Sequence, residues 1–271
     1  TLIDLGIVYF VVDNDVDLDK LLSFLEKNEL KNKINLLLRL KLKENTLRTE
    51  RYFVFGMNSE LINKRIKEIA HNQNLKSKIN NLGIHFHRKS QNMSEWNYQY
   101  EIMHSLEEET LRSISLINIG GGLPAEYANT NMQVIPTILQ KIKELKEWLN
   151  SQQIQLMLEP GRFIAAPAVK LVTQIIGIHE NNIIVNASVY NSDMDALIVP
   201  AKLLVEGELP PGEGQSYVIK GITPCSMDLF RYRVYLKEPK VGDQLVFLNE
   251  GAYNFGTEFC DLEKIETEVV E

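Results

Sequence analysis

Four groups of residues in this sequence have types and spacings that could do chemistry. Glu159-Pro160-Gly161-Arg162 places a carboxylate directly after the apolar run Leu156-Met157-Leu158, with a guanidinium following closely. On a surface such a pair is an ion pair of little worth. At the end of a buried strand the carboxylate needs a cationic partner. A protonated ring nitrogen would meet that need, and Arg162 could offer its fork to phosphate oxygens. Gly120-Gly121-Gly122 follows one apolar run and precedes a helix-like stretch. Without Cβ atoms, its N–H groups can close on an anion such as phosphate; a tight turn is the plainer alternative.

His85 and His87 alternate as they would on one strand face, where they could form a metal pair. His71, His104 and His179 lie in or near helix-like stretches or in a β-rich region, so no third ligand is apparent. A packed or stacked histidine, and no metal, is the expectation. Cys225 lies in Gly221-Ile222-Thr223-Pro224-Cys225-Ser226-Met227-Asp228, between two β-like runs. A lone cysteine there is either a small buried hydrophobe or a reactive thiol. Cys260 takes the plainer reading.

The elements that must position these groups alternate in type. Strand-like runs at 6–12, 34–40, 82–87, 115–119 and 155–158 are separated by helix-like stretches at 17–30, 59–69, 96–111 and 133–150. The first run is wholly apolar, as a strand buried on both faces reads. Repeated strand–helix units predict an α/β architecture with parallel strands, whose functional residues sit at the strand C-termini. Those positions hold Asp13, Arg39, His87, the glycine triplet and Glu159 to Arg162. After about residue 165 the texture becomes β-rich, with runs at 169–178, 182–190, 196–206, 215–220, 230–235 and 244–249 and no long helix. The predicted organisation is an α/β domain over 1–165 and a β domain over 166–271.

Composition excludes several classes. The 271 residues are 44% hydrophobic and 24% charged, an ordinary globular balance. A net charge of -7 offers no basic face to a nucleic acid. No apolar run approaches the roughly 20 residues that span a bilayer. Two cysteines cannot build a disulfide scaffold and fit a reducing, cytoplasmic setting.

Taken in order, the motifs resemble one family. LINIGGGLP (116–124), LEPGRF (158–163), VGDQLVF (241–247) and NEGAY (249–253) resemble the fold-type III decarboxylases that use pyridoxal phosphate, among them ornithine, diaminopimelate and carboxynorspermidine decarboxylases. FVVDN (10–14), LLLRL (36–40), VFGM (54–57) and GIHFHRKSQ (83–91) resemble that family's further segments, in family order. The resemblance implies an alanine racemase-like fold, a TIM-type barrel followed by a β-barrel or sandwich domain. It implies that His87 stacks on the cofactor ring and that Arg39 lies beside it. Ser90, Gly120, Gly121, Gly122, Gly161, Arg162 and Tyr253 would approach the cofactor, mainly at its phosphate. Glu159 would keep the ring nitrogen protonated, so that the ring draws electrons from the α-carbon as carbon dioxide leaves. Cys225 would return a proton to that carbon, reaching into the site of a two-fold partner, and Asp228 would lie in the same substrate loop. A homodimer acting on an amino-acid-type small molecule is implied.

The sequence also departs from the family pattern. No segment resembles its cofactor-bearing Ala-Val-Lys-Ala-Asn; Lys41, Lys43 and Lys170 lack that context. Counting strands, the chain would hold the family's fourth to eighth, with roughly a hundred residues of barrel before them. Thr1, which is not an initiator Met, then reads as a cut end. Asn118 stands for the usual Asp before the glycines, and Ser226 stands where ornithine-type enzymes carry Asp. Arg88-Lys89 replace a small pair; either they face solvent or they favour an acidic or carrier-linked substrate. The expectation is a pyridoxal-phosphate carboxy-lyase; a catalytically inactive relative that acts by binding is the alternative. A racemase is disfavoured, because racemases of this broad fold place a tyrosine where Cys225 stands.

Overall fold

The computed structural model describes residues 1–42, 55–87, 98–254 and 256–270. The chain divides into two compact units. One comprises Thr1–Gly122 with Val134–Pro160, the other Leu123–Gln133 with Gly161–Glu271.

The first unit is a parallel sheet in sequential order, β1 (Tyr9–Val12), β2 (Ile34–Arg39), β3 (Ile79–His85), β4 (Leu116–Asn118) and β5 (Gln155–Met157). Helices α1 (Asp15–Lys27), α2 (Ser59–His71), α3 (Gln73–Lys78), α4 (Tyr98–Ser105), α5 (Glu108–Ser113) and α6 (Ile135–Ser151) lie between the strands in sequence. Three helices begin at an asparagine cap: Asn14, Asn58 and Asn72 each accept first-turn N–H groups through the side chain. Leu18, Leu25, Ile62, Ile66, Leu145 and Leu149 then form apolar stripes against Leu36, Leu38, Ile84 and Ile117 of the strands.

Three expectations change here. The run at 6–12 yields only a four-residue strand, with Tyr9 and Val11 about half exposed, because β1 pairs with β2 alone at the sheet edge. The helix at 96–111 is two helices in the described part, and Trp96 lies outside the described residues. Buried Asn63 of α2 accounts for the break: it donates to Ser105 C=O at 3.0 Å and accepts from Glu107 N–H at 2.9 Å. In the second unit, the β run at 196–206 becomes a short helix α8 (Asp195–Ile198) and the two-residue β8 (Leu204–Val205). Pro200 has no N–H to give a ladder, and Asp195 is held by a salt bridge to Arg162.

That second unit opens with α7 (Arg162–Ala165) and carries a six-stranded sheet in the order β10-β9-β7-β6-β11-β8. Its remaining strands are β6 (Leu171–His179), β7 (Asn182–Val185), β9 (Gln215–Lys220), β10 (Leu229–Leu236) and β11 (Gln244–Leu248). All pairs are antiparallel except β7 with β9. Phe230 and Phe247 stack at 4.8 Å within its core.

Gly83 decides whether β3 and β4 can pair. A Cβ there would stand 2.2 Å from the Leu116 carbonyl oxygen of the neighbouring strand, whereas at Gly177 in β6 it would meet only Ile184 at 3.7 Å. Gly83→Ala is therefore expected to destabilise the protein by about 3 kcal/mol or more. Gly177→Ala should stay within about 0.5 kcal/mol of wild type. Urea unfolding midpoints check both.

Candidate active site

In the first unit, the strand ends carry the candidate groups in one row. The parallel register sets Arg39 opposite His85, His85 opposite Asn118, and Asn118 opposite Met157. Glu159 follows just past the end of β5. Asn118 is almost completely buried at 1% exposure, and both ends of its amide are used. Nδ2 donates to Glu159 Oε1 at 2.7 Å, and Oδ1 accepts the Gly120 N–H at 2.9 Å. Glu159 Oε2 stands 3.6 Å from His85 Nε2, and 49% of the glutamate side chain remains exposed. One carboxylate oxygen is thus fixed by the protein while the side chain still reaches solvent. The sequence reading singled out Glu159 but not Asn118 or His85 as its holders. The available signal was the shared strand-end position of all three.

The glycine triplet serves the chain before it serves any anion. Gly120 has φ +68, and a Cβ would come within 2.7 Å of His87 Nδ1 and 2.8 Å of Phe86 O. At Gly121 a Cβ would lie 2.6 Å from the Glu159 carbonyl. Gly120 N–H is bound by Asn118, and Gly121 N–H donates to His87 Nδ1 at 3.2 Å. Two of the three N–H groups thus have partners within the unit, one in the Asn118 side chain of β4 and one in His87. An Nδ1 that accepts is unprotonated, so the neutral His87 ring carries its proton on Nε2.

His85 and His87 do not share a face environment. β3 ends at His85, which is buried, while His87 lies beyond it and is exposed. Arg39 lies 5.2 Å over the Phe55 ring. Ser90, Lys43, Arg88, Lys89 and part of the VFGM segment lie outside the described residues.

In the second unit, Arg162 pairs with Asp195 rather than with Glu159. Its Nη1 meets Oδ2 and its Nη2 meets Oδ1 at 3.2 Å, and the guanidinium lies 4.5 Å over the Tyr253 ring. A Cβ on Gly161 would reach to 3.4 Å from the Tyr253 hydroxyl. Two further buried acids, Asp193 and Glu250, lie in this unit. Burial, with Asp195 adding to it, pushes Asp193 up to about 8. Burial, followed by the nearby Asp193, pushes Glu250 up to about 10. Burial thus disfavours the charged form of both acids. The sequence reading did not single out Asp193 or Asp195, and it took Glu250 only as part of NEGAY (249–253).

Asp228 and Cys225 part company. Asp228 is fully buried, accepting Val189 N–H and Thr223 N–H at 2.9 Å each. It clasps two loops, taking one N–H from each. Cys225 and Cys260 are both exposed and unbridged, not buried hydrophobes. Cys225 Sγ lies 3.1 Å from the Tyr190 hydroxyl.

His85 gives the first unit a pH dependence. Burial pushes its imidazole below the ordinary value, Arg39 and His87 act in the same sense, and Glu159 opposes them. Nδ1 is buried without a hydrogen-bond partner, so protonation there has no compensation. Below about pH 6.5 the unfolded chain binds a proton that the folded ring refuses, so this contribution is lost as pH falls. Replacing His85 with Gln should flatten the stability curve between about pH 7 and about pH 5 relative to wild type. Parallel curves in urea titrations would contradict it.

Comparison with known proteins places this arrangement. Residues 1–166 match the family model described as pyridoxal-dependent decarboxylase, pyridoxal binding domain. The diaminopimelate decarboxylase of Aquifex aeolicus is 27% identical over 278 residues, covering 93% of this chain and 62% of that protein. The chain thus spans less than two thirds of that relative's length. The lysine/ornithine decarboxylase of Vibrio vulnificus, solved with cadaverine, superposes with a TM-score of 0.70 at 25% identity, over 95% of this chain and 68% of that one. The arginine decarboxylase of Paramecium bursaria Chlorella virus superposes equally well, TM-score 0.70, at 23% identity, over 97% of this chain and 71% of that one. The second of these speaks for the fold alone. With more than half its length matched by the family model, and with a carboxylate anchored at the strand ends of a parallel sheet, the chain belongs to the pyridoxal-dependent decarboxylases.

Proposed function

We propose that this chain supplies strands four to eight of the barrel, together with the β domain, of a pyridoxal-phosphate amino-acid decarboxylase. The observation that carries the reading is the Glu159 carboxylate, fixed on one oxygen by Asn118 and half exposed at the strand ends. That acceptor suits a protonated pyridine nitrogen, whose N–H would donate to it. His87, exposed beyond the end of β3, would lie against the ring, and Arg39 beside it. Gly122, Ser90, Arg162 and Tyr253 would contribute to phosphate binding, Arg162 sharing its guanidinium with Asp195. When bound, the cofactor supplies an electron-poor ring that draws charge from the α-carbon.

The protein's own part is to hold and move protons. Glu159 keeps the proton on the ring nitrogen. Cys225 gives its S–H proton to the α-carbon that carbon dioxide leaves, retaining the electron pair as thiolate. We place Cys225 at the site of a partner copy, in a two-fold homodimer acting on an amino-acid-type substrate. Two free cysteines support a reducing, cytoplasmic setting. Among the described residues no helix is long and apolar enough to cross a membrane.

One observation favours a second reading. No segment of the sequence resembles the family's lysine strand, as would hold for a relative that binds without catalysing. Borohydride reduction of the full-length protein with added cofactor, followed by peptide mapping, separates the two. A pyridoxyl-modified lysine on a peptide beyond these 271 residues supports the enzyme, and no modified lysine supports the binding protein.

Glu159→Gln in the full-length protein should lower kcat by about a hundred-fold or more even at cofactor concentrations that saturate the variant. Full activity with lysine, ornithine, arginine and diaminopimelate as trial substrates would overturn the role given to Glu159.

A further inference from the structure

We propose that Tyr190 is a positioning residue for Cys225, holding the sulfur in place and accepting its negative charge through a hydrogen bond when the proton leaves. The inference rests on the reading of Cys225 as the proton donor and deepens it by naming what supports the thiolate. The contact is direct: Tyr190 Oη and Cys225 Sγ are 3.1 Å apart, within hydrogen-bond reach for sulfur.

The loops bearing the two groups are tied to each other and to their surroundings. Tyr190 N–H donates to Ser188 Oγ at 3.1 Å, and Ser188 N–H to Asn191 Oδ1 at 3.0 Å. Asn191 in turn donates to the Glu263 carbonyl at 2.8 Å, and Thr257 N–H donates to the Asn191 carbonyl at 3.0 Å. The Tyr190 loop is thereby pinned by the C-terminal segment. On the other side, Asp228 takes Val189 N–H from the tyrosine loop and Thr223 N–H from the cysteine loop. Ile222 N–H adds a backbone bond to Ala187 O at 2.9 Å. Gly221 makes this clasp possible, since a Cβ there would fall 2.1 Å from Asp228 Oδ1. A donor and a thiol held by such a shared clasp are preorganised, so little ordering is needed when charge appears.

The electrostatics agree. The Tyr190 hydroxyl is the largest influence lowering the Cys225 thiol, followed by the Met227 N–H, while Asp228 acts in the opposite sense by its charge. Tyr190 itself is pushed up to about 12, first by its bond to Cys225 and then by burial, with smaller effects from the Cys225, Asp228 and Cys260 charges. It is therefore a donor across the physiological range. In the proton transfer, the S–H bond breaks as the C–H bond forms, the sulfur keeps the electron pair, and Tyr190 O–H points at the thiolate. Solvent then restores the thiol proton.

The test is the pH profile of Cys225 alkylation by iodoacetamide, followed by mass spectrometry of its peptide, in the full-length protein carrying Cys260→Ser. Tyr190→Phe keeps the ring that faces Phe259 at 6.3 Å and removes only the hydroxyl. Its alkylation rate at neutral pH should fall roughly five-fold, with the profile displaced to higher pH, as for one lost hydrogen bond to a charged group. Tyr190→His, which can still donate, should recover part of the rate. Unchanged profiles in both variants would overturn the inference. Alkylation reads the pairing without any turnover, so its failure is distinct from failure of the decarboxylase reading. The latter would show as wild-type kcat in Cys225→Ala.

Discussion

One buried amide organises the candidate active site. Asn118 holds the Gly120 N–H with its oxygen and the Glu159 carboxylate with its nitrogen, at 2.9 and 2.7 Å. The Gly120 bond sets how the chain leaves β4, and that exit lets Gly121 reach His87. The Glu159 bond sets how the chain leaves β5 and leaves part of the carboxylate open to a ligand. Loss of this amide would orphan the buried Gly120 N–H, at about 1–3 kcal/mol, and release the half-exposed Glu159 carboxylate to solvent. An aspartate at this position could still accept from Gly120. It would, however, set a second carboxylate against Glu159, and like charges so close cannot both ionise without cost.

The surrounding sheet exists to keep that contact in register. Parallel strands in sequential order bring Arg39, His85 and Asn118 level with one another, and a slip of one residue would turn these side chains to the opposite face. Gly83 permits the β3–β4 approach that fixes the relation of His85 to Asn118. In the second unit a comparable service falls to Asp228, whose two oxygens join the tyrosine and cysteine loops. Each unit thus uses one buried polar side chain to hold the surroundings of an exposed one: Asn118 for Glu159, and Asp228 for the loop of Cys225.

Much of this was legible in the sequence because apolar runs and helical stripes report burial directly. The five parallel strands and the β-rich second part follow from such runs, and Glu159 and the glycines were placed at strand ends by them. What escaped was pairing. Nothing near Arg162 in the sequence points to Asp195, because the bond joins residues 33 positions apart. Spacing alone left the glycine triplet open between an anion cradle and a tight turn, because it does not show which N–H groups the chain has already used.

The central claim is that Asn118 presents Glu159 to the cofactor ring. Calorimetric titration of pyridoxal phosphate into the full-length protein and into Asn118→Val tests it most directly, with circular dichroism confirming that both are folded. The account predicts that the variant binds about ten-fold or more weakly, because the carboxylate loses the donor that orients it. Equal affinity in the two folded proteins would contradict it.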